Sequence, residues 1–232
     1  MTTDTDASDR LPAEIYRRLE GSRGRQGWWP GETPFEVVVG AVLTQNTAWT
    51  NVEKAIAALK DAGALDPWTI MDMDHDALAA LIRPAGYFNV KARRLKAVVS
   101  FLIDEVAGDV PALGLLDLDD ARRRLLAVHG VGKETADSIL LYALEKPSFV
   151  VDAYTRRIFG RLGVLDPRAD YDEIRAFFQK TLRRDVDLYN DYHAQIVIHG
   201  KLVCRARPLC SDCVLADLCA ADSAGDGAHG HD

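Results

Sequence analysis

Leu125-Leu126-Ala127-Val128-His129-Gly130-Val131-Gly132-Lys133-Glu134-Thr135-Ala136 is the stretch on which the reading of this chain turns. An amphipathic helix runs out at its start, two glycines permit a tight left-handed hairpin, and a second helix begins at once. In that geometry the amides of Gly130, Val131, Gly132 and Lys133 are the unsatisfied donors of a helix start, and they carry the positive end of its dipole. Such a hairpin makes a phosphate cradle. Lys133 and the Arg122, Arg123 and Arg124 face would add charge; an ordinary turn between two helices is the competing reading.

Outward from the hairpin, the dominant period is helical. Phe35, Val38, Val39 and Val42 mark one apolar face, and Thr50 followed by Glu53 has capping-box spacing ahead of Ile56 and Leu59. Asp76 to Ile82 is stopped by Pro84, Asn89 is placed to cap a long helix through Leu102, and Asp119 or Asp120 to start one through Leu126. Further helices are expected over 133–144, 152–162, 171–182 and 188–199. The one strand-like run, 148–151, has no partner, so the fold is read as all-α with about ten helices. The Thr/Asp-rich residues 1–10 and the Gly/Ala/Asp/His tail 220–232 read as disordered.

The 232 residues carry 28 basic and 35 acidic side chains, a net charge of −7. That balance excludes a protein that coats nucleic acid through bulk charge and leaves local binding open. No apolar run approaches the ~18 residues needed to cross a bilayer, and no secretory signal opens the chain. The expected location is cytoplasmic.

All four cysteines fall within 204–219, as Cys204-x5-Cys210-x2-Cys213-x5-Cys219. Packed so closely in a chain without an export signal, they read as thiolate ligands rather than disulfides. Structural zinc usually takes two CxxC knuckles, and only one is present; one compact loop around a [4Fe-4S] cluster fits the spacing better than zinc.

The hairpin, then Val151-Asp152-Ala153-Tyr154, then the cysteine loop, in that order, resembles the helix-hairpin-helix DNA glycosylases of the endonuclease III type, over roughly Trp28 to Cys219. The resemblance implies a two-lobed all-α enzyme. A six-helix barrel over 34–146 would bear the hairpin, and residues 11–33 with 147–219 would form a second lobe holding the iron-sulfur loop. A damaged base would be flipped from double-stranded DNA into the cleft between the lobes. It further implies that Asp152 is catalytic and that Cys204, Cys210, Cys213 and Cys219 hold [4Fe-4S], although the first two cysteines stand one residue closer than is usual in the family. A monomer associated with the nucleoid through DNA is the expected state.

A second departure bears on the chemistry. Family members that also cut the backbone carry a lysine immediately before the hairpin's Thr-Ala; this chain has Glu134 there, with Lys133 one residue earlier. A lysine amine attacks the sugar to form a Schiff base, and a carboxylate cannot. One residue along a helix is a rotation of about 100°, so Lys133 points elsewhere and reads as a phosphate contact. The resemblance therefore points to a monofunctional enzyme that leaves an abasic site.

Gly27-Trp28-Trp29-Pro30 and Thr44-Gln45-Asn46-Thr47-Ala48-Trp49, with the hairpin and the Val151-Asp152 segment, look most like the 3-methyladenine glycosylases of the endonuclease III type. There, residues matching Trp28, Trp29, Pro30 and Trp49 line a base pocket. An N-alkylated purine is cationic, and an indole face attracts a cation by ~0.5 to 2 kcal/mol. Core packing or a wedge between lobes is the alternative for Trp28 and Trp29.

An Asp at a helix start is often only a cap, but capping and catalysis are compatible, since a developing oxocarbenium-like sugar requires a carboxylate. Glu134 is either a pocket wall facing the cationic base or a solvated helix residue. Gln45 and Asn46 are candidates to fill the gap left by the flipped nucleotide, Lys201 and Arg205 to face DNA, and His193 and His199 are read as structural. Three functions remain: a monofunctional alkylpurine glycosylase, a bifunctional glycosylase/AP lyase acting on oxidised pyrimidines, and a damage-binding protein without turnover.

Overall fold

The computed structural model describes residues 4–221, and every regular element among them is helical. The helices are α1 (Asp4–Arg23), α2 (Pro34–Leu43), α3 (Trp49–Asp61), α4 (Pro67–Asp72), α5 (His75–Leu81), α6 (Phe88–Val106), α7 (Val110–Leu113), α8 (Leu118–Ala127), α9 (Lys133–Ser138), α10 (Ala153–Arg161), α11 (Tyr171–Thr181) and α12 (Val186–Leu202). The fold divides into two compact units. One is Trp29–Ser148 and holds α2 to α9; the other joins the described residues up to Trp28 with those from Phe149 onward. The boundaries therefore fall a few residues outside the 34–146 expected of the barrel, and they separate Trp28 from Trp29.

In the Trp29–Ser148 unit, α2 is apolar on every side, and such a helix has to be central. Every residue from Phe35 to Leu43 is buried, including Glu36, whose carboxylate pairs with Lys60 at 3.0 Å. Thr33 caps it by accepting from the Glu36 amide, and Pro34 sits in the first turn where its missing N–H costs nothing. Around it pack Val52, Leu59, Ile70, Leu78, Leu95 and Leu125, all fully buried. The α9 helix runs into a wide turn over Ile139–Ala143 that holds one more residue than an α turn.

In the other unit, α12 packs along α10 and against α1, over a core that includes Ile15, Leu19, Phe159, Phe178 and Tyr192. Phe149 and Phe178 stack at 4.1 Å between centroids, and Phe159 meets Phe178 edge-on at 4.8 Å. The approach of α10 to α12 is set by Gly200, where a Cβ would run into the Tyr154 ring.

Several local expectations are corrected. Residues 4–10 are helical rather than disordered: Ile15 and Leu19, both fully buried, anchor α1, and the helix propagates back from them through Pro12. Residues 220 and 221, also expected to be disordered, form a turn in which the Ala221 amide donates to the Arg161 carbonyl at 3.0 Å, and residues 1–3 and 222–232 lie outside the described residues. Ala48 rather than Thr50 is the N-cap of α3, Tyr87 rather than Asn89 that of α6, and Asp117 rather than Asp119 or Asp120 that of α8, where its side chain accepts from the Asp120 amide. The run 148–151 is extended without strand pairing.

Candidate functional site

The hairpin stands as the sequence suggested, joining α8 to α9 in the Trp29–Ser148 unit. Gly130 adopts φ +84°, a left-handed value that favours glycine, and a Cβ there would collide with the stem of Arg94. Gly132 is the N-cap of α9, is exposed, and faces open space. Val131 is buried, Lys133 half-buried and Glu134 exposed.

Two networks brace this turn, and neither was legible beforehand. Gln45 donates its amide to the Gly130 carbonyl at 3.1 Å and to Thr135 Oγ1 at 2.9 Å, while its oxygen accepts from Arg94. Gln45, read from the sequence as a candidate to fill the gap left by the flipped nucleotide, here braces the hairpin with both ends of its amide engaged. Asn46, exposed and at φ +54°, stays available. Asp137, fully buried, takes a two-pronged pair from Arg122 at 2.9 and 3.1 Å and a hydrogen bond from Ser148 at 2.5 Å. Arg123 pairs with Asp120, and Arg124 with Asp120 and Glu105. The Arg122 to Arg124 face expected to attract phosphate is thus matched by carboxylates of the protein itself.

A buried lysine fixes a further edge of the same unit. Lys91 is 2% exposed and donates to the carbonyls of Leu43 at 2.9 Å and Ala85 at 2.7 Å. Burial, with Arg94 nearby, pushes its pKa down to about 8. It ties the end of α2 to the turn before α6, so the Asn46 loop and Tyr87 are anchored through one ammonium. Tyr87, 73% exposed with φ +45°, is a residue that pattern reading missed; strain in an exposed aromatic is a structural signal, invisible in spacing.

The aromatic candidates divide. Trp29 lies with its ring centroid 4.9 Å from Trp49, edge to face, and 4.9 Å from Tyr142, tilted at 36°. Gly40 of α2 backs both indoles: a Cβ there would come within 3.4 Å of Trp29 and 3.6 Å of Trp49. Tyr142, which the wide turn presents, was not anticipated. Pro30 is exposed beside this group, and Trp28 belongs to the other unit.

In that other unit, Asp152 caps α10 through a capping box. Its Oδ1 accepts from the Thr155 amide at 2.7 Å and the Thr155 hydroxyl at 2.8 Å. Oδ2 faces His193 of α12, with Nε2 at 3.6 Å. Burial pushes the His193 pKa down, partly offset by the Asp152 charge. Farther along, Arg157 lies over the Tyr154 ring and donates to the Cys204 and Gly200 carbonyls at 2.9 and 2.8 Å. Arg161 holds the Arg205 and Ala206 carbonyls and reaches Cys204 Sγ at 3.3 Å. Lys201 and Arg205 are exposed.

Cys204, Cys210, Cys213 and Cys219 are in no disulfide and all line one cavity of about 120 Å³. His199 Nε2 stands 3.6 Å from Cys213 Sγ. Among the described residues, no three His, Cys, Asp or Glu side chains form a group suited to a single metal ion. No helix is long and apolar enough to cross a membrane.

The model of the HhH-GPD superfamily of base excision DNA repair proteins matches residues 39–184. The chain is 51% identical to MJ1434 of Methanocaldococcus jannaschii, provisionally named a DNA repair glycosylase, over 89% of this chain and 94% of that one. It is 33% identical to endonuclease III of Sulfolobus acidocaldarius, covering 80% and 81% of the two chains. Among solved structures, an H. pylori 3-methyladenine DNA glycosylase bound to 1,N6-ethenoadenine superposes with a TM-score of 0.71 at 29% identity, covering 84% of this chain and 97% of that one. An endonuclease III–DNA complex superposes at 0.80 with 23% identity, over 93% and 97%, a likeness of fold.

Proposed function

The chain belongs to the HhH-GPD superfamily of base excision DNA repair proteins and is a DNA glycosylase, and from that premise we propose that it is a monofunctional enzyme releasing alkylated purines, of the 3-methyladenine kind, from duplex DNA. The observation that carries the proposal is the group of Trp29, Trp49 and Tyr142 at 4.9 Å spacings, three electron-rich rings in one place. An alkylated purine carries positive charge, and aromatic faces attract cations beyond what apolar burial supplies. The likeness to an H. pylori 3-methyladenine DNA glycosylase supports a modified purine as the base; the 1,N6-ethenoadenine bound there is uncharged, so it speaks for aromatic stacking rather than for the cation. Pro30, exposed and next to Trp29 in sequence, joins the proposed set, and Trp28, which belongs to the other unit, is assigned to the base on the resemblance alone.

The chemistry this set needs is modest. The bond from C1′ to the alkylated purine breaks with its electron pair passing to the base, which leaves neutral. Asp152 stabilises the cationic character that develops on the sugar and orients a water; the water oxygen bonds to C1′ and its proton passes by the carboxylate to solvent. Glu134, an exposed carboxylate on the first turn of α9, cannot form a Schiff base and is assigned to the cationic base. Lys133 and the Gly130 and Gly132 amides are assigned to phosphate, the Val131 amide being taken by the Val128 carbonyl at 3.1 Å, contrary to the expectation that it stays unsatisfied. Gln45, Asn46 and Tyr87 are assigned to the DNA stack, and Lys201 and Arg205 to the backbone.

The four cysteines suit a [4Fe-4S] cluster, since they ring one cavity rather than converging on a point as the ~2.3 Å bonds of zinc would require. Bound there, the cluster would cross-link residues 204–219, which Arg157 and Arg161 tie to α10.

A panel of single-lesion duplexes, assayed for free base with and without alkali, tests the proposal. Release of alkylpurine with strand cleavage only after alkali is expected. Cleavage without alkali, or release confined to oxidised pyrimidines, supports the bifunctional reading instead, and lesion binding without any release the damage-binding one.

A further inference from the structure

Asp152 presents two chemically distinct oxygens. Oδ1 spends its capacity on the capping box, accepting from both the amide and the hydroxyl of Thr155. Oδ2 takes no hydrogen bond among the described residues, and the group it faces is the imidazole of His193, with Nε2 at 3.6 Å. Both side chains are close to fully buried, at 7% exposure for His193 and 11% for Asp152. A carboxylate so enclosed is oriented by what surrounds it, not by water.

We infer that His193 is a positioning residue for the proposed reaction, its Nε2–H setting the rotation of the Asp152 carboxylate so that Oδ2 is the oxygen offered to water and sugar. The inference rests on the assignment of Asp152 to catalysis. The separation is too long for a hydrogen bond, but a closure of about 0.6 Å makes one, and catalytic contacts are commonly long before substrate tightens them. The two residues ride on helices in close contact: α10, which Asp152 caps, packs on α12, and the absence of a side chain at Gly200 lets Tyr154, two residues after Asp152, lie against α12. The same contact that brings Tyr154 down onto Gly200 brings the start of α10 to His193. Burial disfavours the charged form of the imidazole, and the proposal requires the neutral tautomer that carries its proton on Nε2.

The test compares His193→Gln, His193→Asn and His193→Leu with Asp152→Asn, measuring single-turnover base release, lesion-duplex Kd and melting temperature. The Gln amide nitrogen reaches about as far as Nε2, and the Asn amide stops short. His193→Leu and His193→Asn are expected to release base between about tenfold and a hundredfold more slowly with Kd unchanged, the usual cost of losing an orienting partner, and His193→Gln to recover most of the rate. If Asp152→Asn is inactive while Gln and Asn variants release base equally, or while a folded His193→Leu matches the native rate, the positioning role falls and the catalytic assignment stands. If Asp152→Asn itself keeps native release, the assignment of Asp152 falls first. Should His193→Leu fail to fold, the Gln and Asn pair decides.

Discussion

Alanine placed at Gly130 and, separately, at Gly132 separates what the hairpin needs for folding from what it offers to a ligand. At Gly130 the backbone sits at φ +84°, where an L side chain costs about 1 to 2 kcal/mol. The new Cβ also occupies the space of the Arg94 stem, and Arg94 must then leave Gln45. A hydrogen bond to a charged group contributes about 1.5 to 3 kcal/mol, so Gly130→Ala is expected to destabilise by about 3 to 5 kcal/mol. For a chain of this size that lowers Tm by on the order of 10 °C. At Gly132 the Cβ meets nothing within 4 Å and φ is −91°, so Gly132→Ala should leave stability within about 0.5 kcal/mol of native. Its methyl nevertheless projects from the α9 N-cap, where a phosphate would approach, and DNA affinity should fall. Urea denaturation and thermal melts, with fluorescence anisotropy on a short duplex, read both quantities. If the two variants melt together, or Gly132→Ala binds DNA as the native protein does, this account of the hairpin is wrong.

Borohydride reduction of the native protein with lesion duplex should trap no covalent adduct; abundant trapping that disappears in Lys133→Ala would assign lyase chemistry to that amine. Lys91 has its pKa lowered from 10.5 to about 8, so the unfolded chain binds more protons between those values and the cost of burying the ammonium is present below about pH 8 and relieved as pH rises to 10.5. The stability of the native protein relative to Lys91→Met should therefore increase over that window, and a flat or falling difference refutes the assignment. Purified protein should be yellow-brown with broad absorption near about 400 nm and contain iron, with colour lost in Cys213→Ser; colourless protein with stoichiometric zinc contradicts the cluster.

The parts of this structure that local chemistry specifies were readable in the chain. Two glycines two apart between amphipathic segments determine the hairpin, Asp152 at the start of a helical run reads as a cap and is one, and four clustered cysteines line one cavity. The rest is decided by partners distant in sequence. Gln45 reads from the sequence as a candidate to fill the gap of a flipped nucleotide, and its tie to Gly130 and Thr135, 85 and 90 residues away, is invisible there. Arg122 looked like a phosphate ligand until Asp137 was found buried beside it. Lys91 reads as one more surface cation, and only the meeting of two carbonyl ends explains its burial. His193 reads as a core histidine from sequence, and Asp152 lies 41 positions before it.

The wide turn over Ile139–Ala143 amounts to one extra tread in a spiral stair. The wide turn uses one extra residue on nearly the same sweep of angle, so removing that tread would leave the chain beyond it on its course and re-face only the residues of the turn itself. Ile139, Leu140 and Leu141 are buried in a close-packed interior, so the re-facing costs stability, and Tyr142 changes its approach to Trp29. Loss of a single codon would thus exchange stability for a re-aimed aromatic group, and a Leu141 deletion that leaves both the melting temperature and the order of preferred lesions at native values would show that the extra tread positions nothing.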